Sequence, residues 1–151
     1  MIPSPRKAPR AAPTGIARRA TELRIPPDHL SARAARLLAS TIGAGLRADV
    51  DTIEDLRLLV NEACGVLLEC CVPGTRLDEL VVTFEPAFDS VSVTVTRTGA
   101  SLVDRPTSIS AKILDTMSTD WELDGVTVRV HLDLRPDRVA GGPASEQYPS
   151  G

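Results

Sequence analysis

Aromatic residues are scarce in this sequence. They make up 3% of its 151 residues, namely Phe84, Phe88, Trp121 and Tyr148. Proteins that bind single-stranded nucleic acid stack bases on aromatic side chains, so the scarcity argues against that class of function. Hydrophobic residues still make up 42% of the chain, which is enough for a core. The sequence therefore predicts a globular protein of about one domain with an aliphatic core.

Long hydrophobic runs are also missing. No run approaches the roughly 18 apolar residues that a membrane span needs. The first residues lack the apolar stretch of a signal peptide. These absences predict a cytoplasmic protein that does not contact a membrane.

Cysteine is sparse, and its spacing matches no known framework. The three cysteines are Cys64, Cys70 and Cys71, with no C-x-x-C pair among them. An odd number argues against a disulfide framework. The favoured interpretation is packing in the core, where cysteine is often found, and a zinc site or a redox switch is the alternative. We predict no metal and no cofactor.

Charge is distributed unevenly along the chain. The whole sequence has 17 basic and 20 acidic residues, a net charge of -3. Residues 1–24 carry six basic residues against Glu22, so the remainder is strongly acidic. An acidic body repels phosphate backbones, which argues against direct nucleic-acid binding and suits a basic protein partner. The basic start is interpreted as a solvated leader, or alternatively as a contact to nucleic acid or an acidic partner.

Composition divides the chain into three parts. Residues 1–15 hold four prolines and show no periodic pattern, and the last residues are rich in glycine, proline and serine. We therefore expect a disordered basic leader over residues 1–18, a folded domain over 19–135 and a disordered tail over 136–151.

Two helices are predicted near the start of the folded part, after a short strand at 20–27 that two prolines end. The first helix follows Asp28 or Ser31 as the cap and precedes Gly43 and Gly45. The second helix is capped by Asp51 or Thr52 and ends at Pro73-Gly74. Apolar residues recur at helical spacing in both, and the first helix is expected to bury Leu30, Ala34, Leu37, Leu38 and Ile42.

The second half of the domain predicts strands and one further helix. Residues 77–86 and 89–99 read as strands because Val91, Val93 and Val95 alternate with polar residues. Residues 108–118 read as a helix burying Ile109, Ile113, Leu114 and Met117. Residues 120–134 read as a hairpin that turns near Gly125. The order β-α-α-β-β-α-β-β predicts an α+β two-layer sandwich, with helices on one face of a mixed sheet.

The second helix carries a motif that resembles a known family. Asp55–Glu69 reads DLRLLVNEACGVLLE, and Asp120 is followed by Gly125-Val126-Thr127-Val128 near the end of the domain. These segments, together with the element order, resemble anti-sigma factors of the RsbW-like switch serine-kinase family. The resemblance covers about residues 19–135. It implies a histidine-kinase-type ATPase fold.

The nucleotide motifs of that family are degenerate in this chain. The kinases of the family have an Asn that holds Mg²⁺ four residues after the motif Glu, and Val66 stands there without an oxygen ligand. Their Asp-x-Gly-x-Gly turn, whose aspartate contacts adenine, matches Val95–Ser101, which contains no acid and only Gly99. Their glycine-rich phosphate loop is replaced by Ser108-Ile109-Ser110, and glycine's freedom at positive φ is lost with it. The lid between Gly99 and Ser108 is also short. The sequence therefore predicts a non-catalytic domain.

Glu62 matches the general-base glutamate of the family. Without a metal-bound nucleotide it has nothing to act on. We therefore expect a structural role for it, as a helix carboxylate paired with Arg57, Arg97 or Arg129.

The resemblance also implies a function that needs no chemistry. Members of the family bind a sigma factor of RNA polymerase as dimers, largely through the first helix, and an anti-anti-sigma antagonist competes for an overlapping surface. The family's key arginine falls on Arg36, and Arg33 lies one turn before it on the same side. We predict that Arg36 and Arg33 contact the sigma factor, with a solvated arginine as the alternative for Arg36. The rival hypotheses are an active ATP-dependent serine kinase and a dimeric adaptor for another protein.

Overall fold

The computed structural model describes residues 19–74 and 77–134. The predicted leader (1–18) and tail (136–151) lie outside the described residues. Three helices are present in the described part. They are α1 (Ala32–Gly45), α2 (Val50–Cys70) and α3 (Ser108–Met117).

Seven strands form two sheets in the described part of the chain. The larger sheet has the order β1-β3-β4-β7-β6, and the smaller pairs β2 with β5. The strands are β1 (Thr21–Ile25), β2 (Cys71–Pro73), β3 (Glu79–Pro86), β4 (Ser90–Thr98), β5 (Ala100–Leu102), β6 (Asp120–Asp124) and β7 (Thr127–Asp133). The two short strands β2 and β5 were not predicted.

The two-layer α+β architecture is confirmed. All three helices lie on one face of the large sheet, and the other face is open and polar. The prediction of a mixed sheet was wrong in one respect, because every pairing among the described strands is antiparallel. Hairpins connect β3 to β4 and β6 to β7, and such connections make antiparallel neighbours.

Strand alternation places an aliphatic core between the layers. Residues in phase along β3, β4 and β7 are buried, and the residues between them face the open side. Phe84 is the largest fully buried side chain. The three cysteines are free and buried in this core, as predicted. Burial raises the pKa of the Cys64 thiol to about 12, so the thiol stays neutral.

Helix α1 packs on α2 through small residues. Its buried positions are Ala32, Ala35, Ala39, Ile42 and Gly43. A Cβ on Gly43 would lie 2.9 Å from Cγ1 of Ile53, so only glycine permits this approach. The predicted buried stripe was wrong for Leu30 and Leu37, which are 68% and 67% exposed, and for Ala34, which is also exposed. Alanine seams bring two helices closer than leucine would allow, and the leucines therefore point outward.

Two further local predictions need correction. The cap of α2 is Asp49, whose Oδ1 accepts the N–H of Thr52 at 2.8 Å, rather than Asp51 or Thr52. Helix α3 buries Leu114, but Ile109 in its first turn is 71% exposed. The predicted turn is confirmed at Gly125, which has φ +61° in the two-residue connection of β6 to β7.

Within residues 19–74 and 77–134, no helix combines the length and hydropathy needed to cross a membrane.

Candidate functional site

The turn that the family resemblance assigns to adenine recognition is a strand connection. Strand β4 ends at Thr98, Gly99 has φ +75°, and β5 begins at Ala100. The backbone N–H of Gly74 donates to the carbonyl of Gly99 at 2.7 Å, so this turn is held against the end of β2. Gly99 is used for a tight turn that needs positive φ.

Arg97 is the main polar residue of this region, and it is buried. It lies two residues before Gly99, and it is 5% exposed. Its Nε and Nη2 donate to the two carboxylate oxygens of Asp78 at 2.9 and 2.8 Å. Its Nη1 donates to the carbonyls of Leu67 and Cys71 at 3.1 and 3.2 Å. Four of the five N–H donors of the Arg97 guanidinium are thus bound within the fold.

The ion pair fixes the charge of this region. The hydrogen bond from Arg97 lowers the pKa of Asp78, so the carboxylate stays ionised at neutral pH. The carbonyls that Arg97 also binds belong to the C-terminal end of α2 and the residue after it, where the helix dipole favours a cation. Arg97 therefore closes the junction between α2, β2 and β4.

Val66 and Glu62 lie on α2 on the way to this junction. Val66 is 1% exposed and packs in the core, so its side chain brings no ligand oxygen. Glu62 is half-buried, and within residues 19–74 and 77–134 it forms no ion pair. The predicted pairing of Glu62 was wrong, because Arg57 binds Glu54, Arg97 binds Asp78 and Arg129 binds Glu122.

The start of α3 is closed by a side-chain cap. Thr107 is the N-cap, and its Oγ1 accepts the N–H of Ser110 at 3.1 Å. The same hydroxyl donates to the Ser110 Oγ at 3.2 Å. One N–H that a phosphate loop would offer to an anion is already bound by the chain itself.

Arg36 joins α1 to α2 on the other side of the helical layer. It is half-buried, and its Nη1 donates to Oδ1 of Asn61 at 2.9 Å. Asn61 therefore faces α1. It points about 100° around the helix axis from its neighbour Glu62. The positive charge of Arg36 lowers the pKa of the Cys64 thiol, against the rise caused by burial. The guanidinium therefore lies near Cys64, beside the contact between α1 and α2.

The outer face of α1 is exposed and combines charge with apolar surface. Arg33 is exposed and has no side-chain hydrogen bond or ion pair within the described residues. Leu37 lies four residues after Arg33, so these two side chains share one face of α1. Leu30 is also exposed, in the turn that leads into the helix, three residues before Arg33. We refer to Leu30, Arg33 and Leu37 as the α1 outer face.

No three His, Cys, Asp or Glu side chains in the described ranges are arranged to hold a metal ion. The site thus consists of a packed junction around Arg97 and the α1 outer face. Sequence reasoning named Arg36, Arg33, Glu62 and Val66, but it missed the Arg97–Asp78 pair. Strand alternation could have predicted that Arg97 is buried, because position 97 continues the buried series 91, 93 and 95 of β4.

Comparison with known proteins supports the fold. No protein-family profile matches this sequence, and no curated protein matches it. Its structure is similar to the crystal structure of the RsbU and RsbW domains of Rv1364c from Mycobacterium tuberculosis, with a TM-score of 0.61 and 18% sequence identity. The match covers 78% of this chain and 33% of that one. The chain therefore has an RsbW-like α+β fold and corresponds to about a third of that longer chain.

Proposed function

We propose that this protein is an anti-sigma factor that occupies a sigma factor through the α1 outer face and needs no nucleotide to do so. The proposal rests mainly on one observation: the α1 outer face is exposed, whereas the junction around Arg97 is packed. The protein acts as a homodimer and excludes the sigma factor from RNA polymerase by steric occlusion.

The composition of the α1 outer face supports partner binding. Arginine is enriched at the energetic centres of interfaces, where it makes planar contacts. Leu30 and Leu37 add apolar area, with about two thirds of each residue exposed. Arg33 makes the direct contact. Arg36, held by Asn61, presents what remains of its exposed surface beside it.

The region around Arg97 supports the absence of kinase activity. Val66 provides no oxygen for Mg²⁺. Arg97 stands where an acid would bind the adenine amino group, and a guanidinium has no acceptor for that amine. Thr107 already binds the N–H of Ser110. Glu62, at the general-base position, then has no metal-bound nucleotide to serve.

Release follows from competition. An anti-anti-sigma antagonist that binds the α1 outer face must displace the sigma factor, because two ligands cannot share one surface. Since this chain does not phosphorylate the antagonist, another kinase controls the antagonist's phosphorylation state.

The test is co-purification of the full chain with the sigma factors of its host, followed by titration of the partner that is found. We expect Arg33→Ala and Leu37→Ala each to weaken binding about 30-fold, as a hot-spot loss of about 2 kcal/mol does. The matched controls are Arg105→Ala and Ile109→Ala, which remove an exposed arginine and an exposed apolar residue away from α1. Failure to recover any sigma factor, or equal losses in the control variants, would overturn the proposal.

A further inference from the structure

The open face of the large sheet has a strong excess of negative charge. Its outward side chains include seven carboxylates and two arginines. Both arginines are already paired, Arg24 with Glu22 and Glu79, and Arg129 with Glu122. Within the described residues, the other four carboxylates have no arginine or lysine partner, although Asp133 lies 3.6 Å from Nε2 of His131. The acidic residues of this face are Glu22, Glu79, Glu85, Asp120, Glu122, Asp124 and Asp133.

A groove crosses this face near the β3–β4 hairpin. Its volume is about 420 Å³, and Glu85, Asp120, Glu122 and His131 line it. His131 lies between Ser92, 3.0 Å from its Nδ1, and Asp133, 3.6 Å from its Nε2. The pairing of the strands puts Glu85, Ser92, His131 and Asp120 in one row across the sheet. We call this row and its groove the acidic groove.

The N-terminal segment enters the sheet beside this groove. The first residue of β1, Thr21, is opposite Phe84, so the chain before Thr21 leaves β1 at the level of Glu85. Residues 1–18 carry Arg6, Lys7, Arg10 and Arg18 and no acidic residue. The segment and the face are therefore opposite in charge.

The length of the segment is sufficient to cross the sheet. Four strand spacings of about 4.8 Å separate β1 from β6, which is roughly 19 Å. Lys7 precedes Thr21 by 14 residues, and an extended segment of that length spans up to about 46 Å. Because the segment is tethered, its effective concentration at the groove is in the millimolar range.

The geometry points to the acidic groove as an intramolecular docking surface for the basic segment of residues 1–18. The carboxylates of Glu85 and Asp120 receive the cationic side chains of that segment. The site is on the opposite face of the sheet from the α1 outer face, so it is independent of the proposed partner binding.

Lysine content makes a direct test feasible in the full chain. The sequence contains two lysines, Lys7 and Lys112. A carbodiimide joins an amine to a carboxylate that it touches, and mass spectrometry maps the pair. We expect Lys7 to be joined to Glu85, Asp120 or their outward neighbours Glu122 and Asp124 at low salt. At 1 M salt these products should disappear, because exposed charge pairs are then screened. Lys112, on the exposed side of α3, is the internal control, and its products should stay on the helical layer.

A charge variant separates docking from chance contact. Arg6→Gln/Arg10→Gln keeps Lys7 and every carboxylate, and it should reduce the yield of Lys7 products in the groove about fivefold. The matched control, Arg47→Gln/Arg105→Gln, removes the same charge from exposed positions of the domain and should leave the yield unchanged.

Three results would overturn the inference. Lys7 could be joined mainly to carboxylates of the helical layer, or both double variants could lose products equally. The third result would come from an equal mixture of ¹⁵N-labelled and unlabelled chains. Cross-linked products that contain one labelled and one unlabelled peptide would show that the groove binds the segment of a second copy.

Discussion

The junction around Arg97 and the α1 outer face are built in opposite ways. At the junction, Arg97 uses Nε, Nη1 and Nη2 to bind Asp78 and two backbone carbonyls, and it is almost completely buried. On the α1 outer face, Arg33 is exposed and without a partner in the described part of the chain, between two exposed leucines. The donors of Arg97 bind groups within the fold, whereas the side chain of Arg33 is exposed to solvent.

This difference locates where a ligand can act. A buried guanidinium with four of its five N–H donors bound within the fold is held in place by the chain itself, and removing its partner costs stability rather than binding. An exposed arginine beside apolar surface contributes little to the fold and is free to bind. We therefore expect substitutions in the first region to change stability and substitutions in the second to change the proposed partner binding.

The largest stability effect is expected at the junction. Asp78→Asn leaves the Arg97 guanidinium without its counter-charge, which should lower the free energy of unfolding by about 3 kcal/mol. Urea denaturation followed by circular dichroism measures it. Glu54→Gln is the control, because it breaks the exposed pair with Arg57 and should cost less than about 1 kcal/mol. Equal losses in the two variants would contradict the assignment.

The seam behind the α1 outer face should be the next most sensitive place. Gly43→Ala forces a Cβ to within 2.9 Å of Ile53 and should destabilise the protein by about 1–2 kcal/mol. Gly65, on α2, has no atom within 4 Å of such a Cβ. Gly65→Ala should therefore stabilise by about 0.5–1 kcal/mol through helix propensity alone. The unfolding midpoints of both variants measure the difference. Destabilisation of both would show that the effect does not come from the close contact of Gly43 with Ile53.

Acid should weaken the junction selectively. The pKa of Asp78 is lowered in the folded protein by its hydrogen bonds from Arg97, so the pair's contribution is complete above the unfolded pKa near 3.8. It is lost as pH falls through the lower folded pKa. Unfolding free energies at pH 2–5 should therefore fall less steeply in Asp78→Asn than in the unaltered chain. If the unfolding free energies of the two proteins fell in parallel with pH, Asp78 would be excluded as the source of the acid sensitivity.

The smallest effect is expected at the cysteines. All three thiols are buried, and the pKa of Cys64 is about 12, so none should react with a disulfide reagent under native conditions at pH 8. Three thiols per chain should react in denaturant. Ser101→Cys, at an exposed position of β5, supplies one fast-reacting thiol as a positive control. Rapid reaction of a native thiol would show that the core opens.

Periodicity predicted most of the architecture, because Val91, Val93 and Val95 define a buried strand face directly. It failed on α1, where alanines and leucines occur on nearly every side of the helix. A pattern of apolar residues then cannot distinguish a close alanine seam from a leucine face. Leu37 was placed in the core for that reason, and tertiary packing decided otherwise.

The site was predictable only in part. Motif counting identified Glu62 and Val66, which lie inside the Asp55–Glu69 motif, and alignment through the segment ending at Leu46 identified Arg36. The partners of Arg97 and Arg57 were not predictable from one sequence, because Asp78 reaches Arg97 only through the pairing of β3 with β4. On α2, Glu54 precedes Arg57 by three residues and Glu62 follows it by five, and the nearer acid, Glu54, is the observed partner.

The most direct test of the account is the thermal stability of the full chain in Mg²⁺-ATP, with ATP and a chelator as the control. A nucleotide at about 100 times its dissociation constant would add about 2.7 kcal/mol to the free energy of unfolding. The account predicts no change in the unfolding midpoint at millimolar Mg²⁺-ATP. A clear metal-dependent rise would contradict it, since the junction around Arg97 would then be open to nucleotide.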